Sequence, residues 1–191
     1  SEKYPHLKNA IDLLKKWDRR TNVENTKAAF VILIIRHLFN NLKSEDRYVK
    51  GGVLTEIDCI KAIENAQKEM LELHGKLEVP LGEIQRHVRG NVSLPCGGGP
   101  DVLRAEYALP DEEGKTTKLV AGESYIEMVR FGPEGIELET VNAYGASAKP
   151  DSPHYTDQME MYANKELKKM SLDWEVVKSG AVRIYSPKRV Q

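Results

Sequence analysis

Hydrophobic positions in the first part of the chain, about residues 5 to 76, recur at the three-to-four-residue spacing of helices. Three helices are predicted, and Pro5 suits the first turn of the first. Asn22 or Asn25 caps the second, and Thr55 with Asp58 three residues on forms a capping box for the third. The apolar positions are, helix by helix, Leu7, Ile11, Leu14 and Trp17; Phe30, Leu33, Ile34 and Leu38; and Ile57, Ile60, Ile63, Ala66, Met70 and Leu73.

The pattern changes near Val79 and Pro80, after which apolar residues tend to alternate. One short helix is predicted over 81–88 and a glycine-containing loop over 90–99. Strands are predicted over 102–108, 118–121, 125–131, 136–141 and, at the end of the chain, 180–186. Residues 132–135 predict a hairpin turn. Between the fourth and last strands, a polar loop over 145–153 precedes a helix over 155–170, with Ser152 as cap and Pro153 as first residue.

The predicted order is helices, then a meander of antiparallel strands, a helix and a strand. This order indicates an α+β fold and not the regular alternation of a doubly wound sheet. We expect a helical segment over 1–78 and an α+β segment over 79–191. Lys50, Gly51 and Gly52 predict a break before the third helix.

Charge and hydropathy exclude some partners. The 191 residues carry 28 Lys and Arg against 29 Asp and Glu, a formal net charge of -1, which gives no bulk attraction to nucleic acid. The apolar run over 28–35 ends at Arg36 and is too short for a bilayer span. No signal peptide is evident at the start. We expect no nucleic-acid partner and no membrane span.

The residue types that can bind metals or form disulfides are few and scattered along the chain. Cys59 and Cys96 are the two cysteines, and we favour two free thiols. His6, His37, His74 and His87 have no ligand-spaced neighbours, and the sequence contains no CxxC pair. We therefore predict no metal and no cofactor.

Two loops invite a catalytic interpretation that we do not favour. Gly97 to Gly99 lack the Gly-Lys-Ser/Thr of a phosphate loop, so we expect a tight turn where backbone approaches another part of the chain. Ser152, His154 and Asp157 include the residue types of a hydrolytic triad but are too close together in sequence. We predict a cap, a partly exposed imidazole and an acid at a helix start. No catalytic residue is assigned to this chain.

Three motifs nevertheless resemble the penicillin acylase family, with most similarity to acyl-homoserine lactone and aculeacin acylases. They are 81–105 (LGEIQRHVRGNVSLPCGGGPDVLRA), 122–125 (GESY), and 144–147 (YGAS) followed by 152–158 (SPHYTDQ). The helical residues Leu13, Leu14, Trp17 and Asp18 also fit the family. Ala146 and Ile126 depart from the pattern, which leaves the substrate open.

The resemblance implies a precursor that cuts itself into α and β chains, with this segment in the late β subunit of a four-layer αββα sandwich. The new N-terminal Ser of the β chain is then the nucleophile and its α-amine the base. Such enzymes hydrolyse the amide bond of N-acyl compounds such as penicillins or acyl-homoserine lactones, in the periplasm or after secretion. The partners implied are the α subunit, the N-terminal part of the β subunit and an N-acyl substrate.

Alternatives remain at this point. Ser1 opens the chain, but Glu2 and the short distance to the glycine motif do not match the family nucleophile, so we expect the nucleophile outside this chain and the chain alone to be inactive. The alternative is a non-catalytic binding or interaction domain derived from the same fold. A weaker alternative is an unrelated enzyme that uses Ser152 and His154. Whether the 97–99 and 145–154 loops reach a substrate cleft is open.

Overall fold

The computed structural model describes residues 3–41, 54–100 and 102–185. The chain divides into two compact units, Ser1–Glu123 and Ser124–Gln191. Elements described in the first unit are α1 (Lys8–Lys16), α2 (Ala28–Asn41), α3 (Glu56–His74), α4 (Leu81–Ile84), β1 (Gln85–Arg89), β2 (Val92–Pro95), β3 (Glu106–Pro110) and β4 (Thr117–Gly122). Those of the second are β5 (Tyr125–Gly132), β6 (Gly135–Asn142), α5 (Met159–Asn164), β7 (Lys168–Met170) and α6 (Trp174–Ser179).

Local side chains set the ends of the helices in the first unit. A 3-10 turn that starts at Pro5 leads into α1. Of the two candidate caps of α2, Asn25 is the one used: its Oδ1 accepts the backbone N–H groups of Lys27 and Ala28, each at 3.0 Å. Both hydrogen bonds of the predicted capping box at Thr55 are present, and Gly75, in the left-handed conformation, ends α3.

The buried faces of α1, α2 and α3 form the core of the first unit. Its members are Leu7, Ala10, Leu13, Phe30, Leu33, Ile34, Ala62, Ile63, Ala66, Met70 and Val79. The placement of Ile57 on this face is wrong, because its side chain is 63% exposed. At 3.6 residues per turn, the nine-residue separation from Ala66 puts Ile57 about 180° away around the helix.

The first sheet has the strand order β2-β1-β4-β3. β1 pairs antiparallel with β2 and parallel with β4, and β3 pairs antiparallel with β4. The predicted helix over 81–88 is therefore wrong beyond Ile84, because β1 finds partners on both sides. The predicted loop over 90–99 is also wrong in part, since β2 lies within it and only a turn at Gly90 and Asn91 joins the two strands.

The strand predicted over 102–108 begins only at Glu106. The backbone just before it is bonded to the glycine loop, where the Gly99 N–H donates to the Arg104 carbonyl at 3.2 Å and the Glu106 N–H donates to the Gly99 carbonyl at 3.2 Å. The strand predicted over 118–121 is confirmed as β4.

In the second unit, β5, β6 and β7 form an antiparallel sheet in that order. The predicted hairpin is confirmed, with Gly132 paired to Gly135 across a two-residue turn. The predicted helix over 155–170 is wrong at both ends. It begins at Met159, so Ser152 and Pro153 are not its cap and first residue, and it ends where Lys165 adopts a left-handed conformation.

The last predicted strand, over 180–186, is wrong for 180–185, which form no strand. The preceding residues form α6, which begins because Asp173 Oδ1 accepts the N–H groups of Glu175 at 2.8 Å and Val176 at 3.3 Å. Predictions made for Ser1, for 50–52 and for Ser186 lie outside the described residues.

Helices and largely antiparallel strands in these proportions confirm the α+β class. None of the helices in the described ranges is long and apolar enough to cross a bilayer. The predicted division into 1–78 and 79–191 stays a prediction about domain organisation.

Candidate functional site

The glycine loop is shaped by close contact with the backbone of the first unit. Gly98 has a φ of 105°, and its N–H donates to the Thr21 carbonyl at 2.9 Å. A Cβ on Gly97 would lie 2.5 Å from that carbonyl oxygen. Because the N–H groups of Gly98 and Gly99 are used by protein carbonyls, they are not directed at a phosphate. The predicted close approach of backbone is confirmed.

Behind this loop lies a buried polar network. The Gln85 side chain is 2% exposed, and its Nε2 donates to the carbonyls of Cys96 at 3.0 Å and Gly98 at 3.2 Å. The Arg104 guanidinium donates to Cys96 Sγ at 3.3 Å and lies 3.6 Å from the Glu106 carboxylate. A buried polar group costs stability unless it is bonded in this way. This network therefore holds the loop in place.

The sequence interpretation missed Glu106, which is 6% exposed. Its carboxylate also fills the space beside Gly122, where an added Cβ would lie 2.4 Å from Oε2. The signal in the sequence was that Glu106 follows Arg104 by two residues within a predicted strand that is otherwise largely apolar. Because a buried charge needs a partner of opposite charge, an ion pair between the two could have been expected.

The three triad-type residues of the second unit do not form a triad. His154 Nδ1 lies 2.8 Å from Asp157 Oδ2, so the structure brings these two together. The Ser152 hydroxyl instead accepts the backbone N–H of His154 at 3.2 Å. The imidazole is 64% exposed. Nucleophilic catalysis requires the base to contact the hydroxyl, and that contact is not made here.

The loop that carries these residues is held by Gln158 and Gly145. Gln158 is 6% exposed; its Oε1 accepts the Asn142 N–H at 2.9 Å and its own N–H donates to the Tyr144 carbonyl at 3.1 Å. A Cβ on Gly145 would lie 2.3 Å from the His154 carbonyl oxygen. The motif residues at the two ends of this loop therefore hold it against its own backbone.

Several histidines in the described residues contact carboxylates. His6 Nε2 lies 2.8 Å from Glu64, and His37 Nε2 lies 2.9 Å from Glu69. Burial lowers the pKa of His74, because it disfavours the charged imidazolium. In the part of the chain that the structure describes, no group of three or more His, Cys, Asp or Glu side chains could hold a metal ion. Cys59 and Cys96 do not form a disulfide with each other, as predicted.

An apolar cavity of about 50 Å³ lies in the first unit between α2, α3 and β3. Its lining includes Ile32, Met70 and Ile84, with the ion-paired Arg36 and Glu69 on one side. Ligand pockets for drug-sized molecules measure about 300–1,000 Å³. This cavity is too small for such a ligand, and it was not predicted from the sequence.

The comparisons with known proteins identify the family. The family model described as penicillin amidase matches residues 2–179, and the chain belongs to this family. It is 25% identical over 177 residues to the acyl-homoserine lactone acylase PvdQ of Pseudomonas fluorescens. This alignment covers 84% of this chain and 23% of the relative. Over 89 residues it is 34% identical to the protein of the same name from Pseudomonas putida, covering 45% of this chain and 11% of the relative.

Among solved structures, the chain is similar to a thermostable penicillin G acylase from Alcaligenes faecalis. The identity is 18% and the TM-score 0.34, over 83% of this chain and 29% of that one. The chain spans about a quarter of the length of the Pseudomonas fluorescens relative.

Proposed function

We propose that the protein containing this chain is an amidohydrolase that cleaves the amide bond of N-acyl compounds such as penicillins or acyl-homoserine lactones. The observation that carries this proposal is the match of the penicillin amidase family model to nearly the whole chain, residues 2–179. The names of the Pseudomonas relatives agree with an acylase.

In this proposal the nucleophile lies outside the chain. It is the N-terminal Ser of a β chain released by self-cleavage, and its own α-amine removes the hydroxyl proton. An α-amine is suited to this role because its ordinary pKa, about 7.7–8.0, is close to neutral pH. The oxygen attacks the acyl carbonyl, the departing amine takes the proton, and water then hydrolyses the acyl ester to release the acid.

The chain's own contribution is structural support. The glycine loop and the segment from Gly145 to Gln158 carry family motifs, and two buried glutamine side chains hold the backbone beside them. Gln85 bonds the carbonyls of Cys96 and Gly98, and Gln158 bonds the backbone of Asn142. A scaffold of this kind positions catalytic groups that come from elsewhere. The partners in this proposal are an α subunit and the N-terminal part of the β subunit, in the periplasm or outside the cell.

The test is hydrolysis by the complete gene product. We would incubate it with acyl-homoserine lactones of several chain lengths and with penicillin G, and quantify the released amine by liquid chromatography and mass spectrometry. Release from at least one substrate supports the proposal. No release from any of a broad N-acyl panel contradicts it, and favours the non-catalytic binding domain instead.

A further inference from the structure

The first unit contains a polar cleft of about 400 Å³, separate from the small apolar cavity between α2, α3 and β3. Three stretches of chain supply the charged and apolar residues of its lining: Asp12, Leu13 and Lys16 of α1, Lys27 just before α2, and Lys76 and Glu78 just after α3. Sites for small molecules usually measure about 300–1,000 Å³. The cleft is therefore large enough for a small ligand.

The walls of the cleft are attached to the core of the first unit. The buried residues next to its lining lysines are Leu13, Ala28 and Val79. Each of them lies within three residues of Lys16, Lys27 or Lys76. The three lysines therefore extend from backbone that packing already holds in place, and a ligand would not have to order the walls when it binds.

The two carboxylates of the cleft are already paired with lysines. Lys8 Nζ donates to Asp12 Oδ2 at 2.5 Å, and Lys27 Nζ lies 3.0 Å from Glu78 Oε2. The hydrogen bond from Lys8 lowers the pKa of Asp12, and the one from Lys27 lowers the pKa of Glu78. Lys16 acts on both carboxylates in the same direction from a longer distance. Both acids are therefore ionised and neutralised at neutral pH.

Two further lysines give the cleft an excess of positive charge. Among the residues that the structure describes, Lys16 and Lys76 form no ion pair and no side-chain hydrogen bond. With the two paired lysines, they set four ammonium groups against two carboxylates. The whole chain has a formal net charge of -1, so this excess is local. Positive charge concentrated in a cleft attracts anions.

The arrangement of the charges selects among anions. Lys16 and Lys76 lie on different walls, so a group with two or more negative charges can contact both. A single carboxylate could contact one of them and would be repelled by Asp12 and Glu78. Lysine ammonium groups bind phosphate as compact point charges. We infer that this cleft binds a small soluble molecule that carries phosphate groups, with Lys16 and Lys76 in contact with them.

The first test measures the reactivity of single lysines in the complete protein. Its lysines would be acetylated with and without about 5 mM sodium diphosphate, a concentration that detects millimolar affinity, and the sites read by mass spectrometry. We expect Lys16 and Lys76 to react about fivefold more slowly with diphosphate, because amines that contact phosphate are shielded. Lys61 and Lys68 of α3 do not line the cleft and are the controls. Sodium chloride of equal ionic strength should protect neither pair, since it only screens charge.

Unchanged acetylation of Lys16 and Lys76 in diphosphate overturns the inference. So does a lack of reactivity of both lysines in the absence of diphosphate, because the cleft would then be filled by another part of the protein.

The second test compares matched variants of the complete protein by calorimetric titration with diphosphate. The double variant Lys16→Gln, Lys76→Gln should lose about tenfold or more in affinity, whereas Lys61→Gln, Lys68→Gln should stay within about twofold. Glutamine is nearly as good a helix former as lysine, so both pairs of changes preserve the helices. Lys16→Arg, Lys76→Arg keeps the charges and should stay within about threefold. Equal losses in the two glutamine variants would show attraction to the general surface charge and reject the site.

A membrane surface presents the same phosphate chemistry as a soluble ligand. Vesicles of phosphatidylcholine with about 20% phosphatidic acid therefore form a separate arm of the acetylation test. Protection of Lys16 and Lys76 by these vesicles but not by diphosphate contradicts a soluble ligand. Neither test depends on turnover. A complete protein that binds diphosphate in the cleft but hydrolyses no N-acyl compound rejects the proposed function alone, and an active protein without this binding rejects the inference alone.

Discussion

Gly98 occupies a position where an added side chain would have neither space nor a favourable backbone conformation. Its φ is 105°, and a Cβ there would lie 2.6 Å from Glu106 Cγ and 2.7 Å from the Arg104 carbonyl oxygen. Gly98→Ala must therefore displace the buried ion pair between those two residues. We expect a loss of about 3 kcal/mol or more in the free energy of unfolding, measured by urea denaturation.

Gly75→Ala is the matched control, because Gly75 also has positive φ but has no atom within 4 Å of an added Cβ. Its cost is limited to backbone conformation, about 1 kcal/mol. If the two alanine variants lost equal stability, the contacts around Gly98 would not be what requires glycine there.

His74, also in the first unit, is expected to make stability depend on pH. Burial lowers its pKa below the ordinary value of 6.5, although Glu69 and Glu83 act in the opposite direction. Between its folded pKa and 6.5, the unfolded chain binds more protons than the folded chain, so stability rises with pH in that window. His74→Asn should reduce this dependence, as measured by urea denaturation at a series of pH values.

Above pH 8 the imidazole is neutral in both the folded and the unfolded chain, so the difference in stability between His74→Asn and the unchanged protein should be constant there. That plateau is the internal control. An identical slope for both proteins below pH 6.5 would show that His74 does not contribute.

The C-terminal end of α5 is a feature at the scale of an element. Lys165 follows the helix with a φ of 62°, a conformation that favours glycine. The Glu166 N–H donates to the Met161 carbonyl at 2.8 Å, which is the bond of a Schellman end. We expect Lys165→Gly to stabilise the protein by about 0.5–1 kcal/mol, measured as the change in urea midpoint.

Lys169→Gly is the control for this prediction, because Lys169 lies within β7. Glycine in a strand loses conformational freedom on folding, so this change should cost about 0.5–1 kcal/mol. A destabilised Lys165→Gly protein would mean that the lysine side chain contributes more than its backbone conformation costs.

Elements fixed by near neighbours in sequence were predictable, and those fixed by distant partners were not. Thr55 and Asp58 form their capping box within four residues, and the 132–135 turn joins adjacent strands. Gln85 continues a helical pattern locally but pairs with Thr117 in the sheet. That pairing joins residues far apart in the chain and leaves no local signal.

The candidate site also combines features that the sequence predicts with contacts between distant residues that only the fold shows. The motif residues around the glycine loop were recognised from their order, but their physical role required the fold. Gln85 and Cys96 bond across a hairpin, and Glu106 reaches the loop from a later strand. The His154–Asp157 contact was not predicted, because three residues of separation permit several geometries when the helix start is misplaced.

At the scale of the whole molecule, catalysis should be insensitive to Ser152, His154 and Asp157, which include the residue types of a triad. The Ser152 hydroxyl bonds the His154 backbone and not its imidazole. In the complete protein, we therefore expect the double variant Ser152→Ala, His154→Ala to keep kcat/KM for N-acyl substrates within about twofold, since no transition-state interaction is removed.

The complementary prediction is that this chain alone releases no amine from N-acyl substrates, and that Ser1→Ala changes nothing in that assay. Removal of a nucleophile and its base together costs a factor of about 10⁶ in hydrolytic enzymes. A rate loss of that order in the double variant would place the reaction at Ser152, and an amidase activity of the chain that Ser1→Ala abolishes would place it at Ser1. Either result would remove the need for a nucleophile elsewhere, because the hydroxyl that attacks the acyl carbonyl would then belong to these 191 residues.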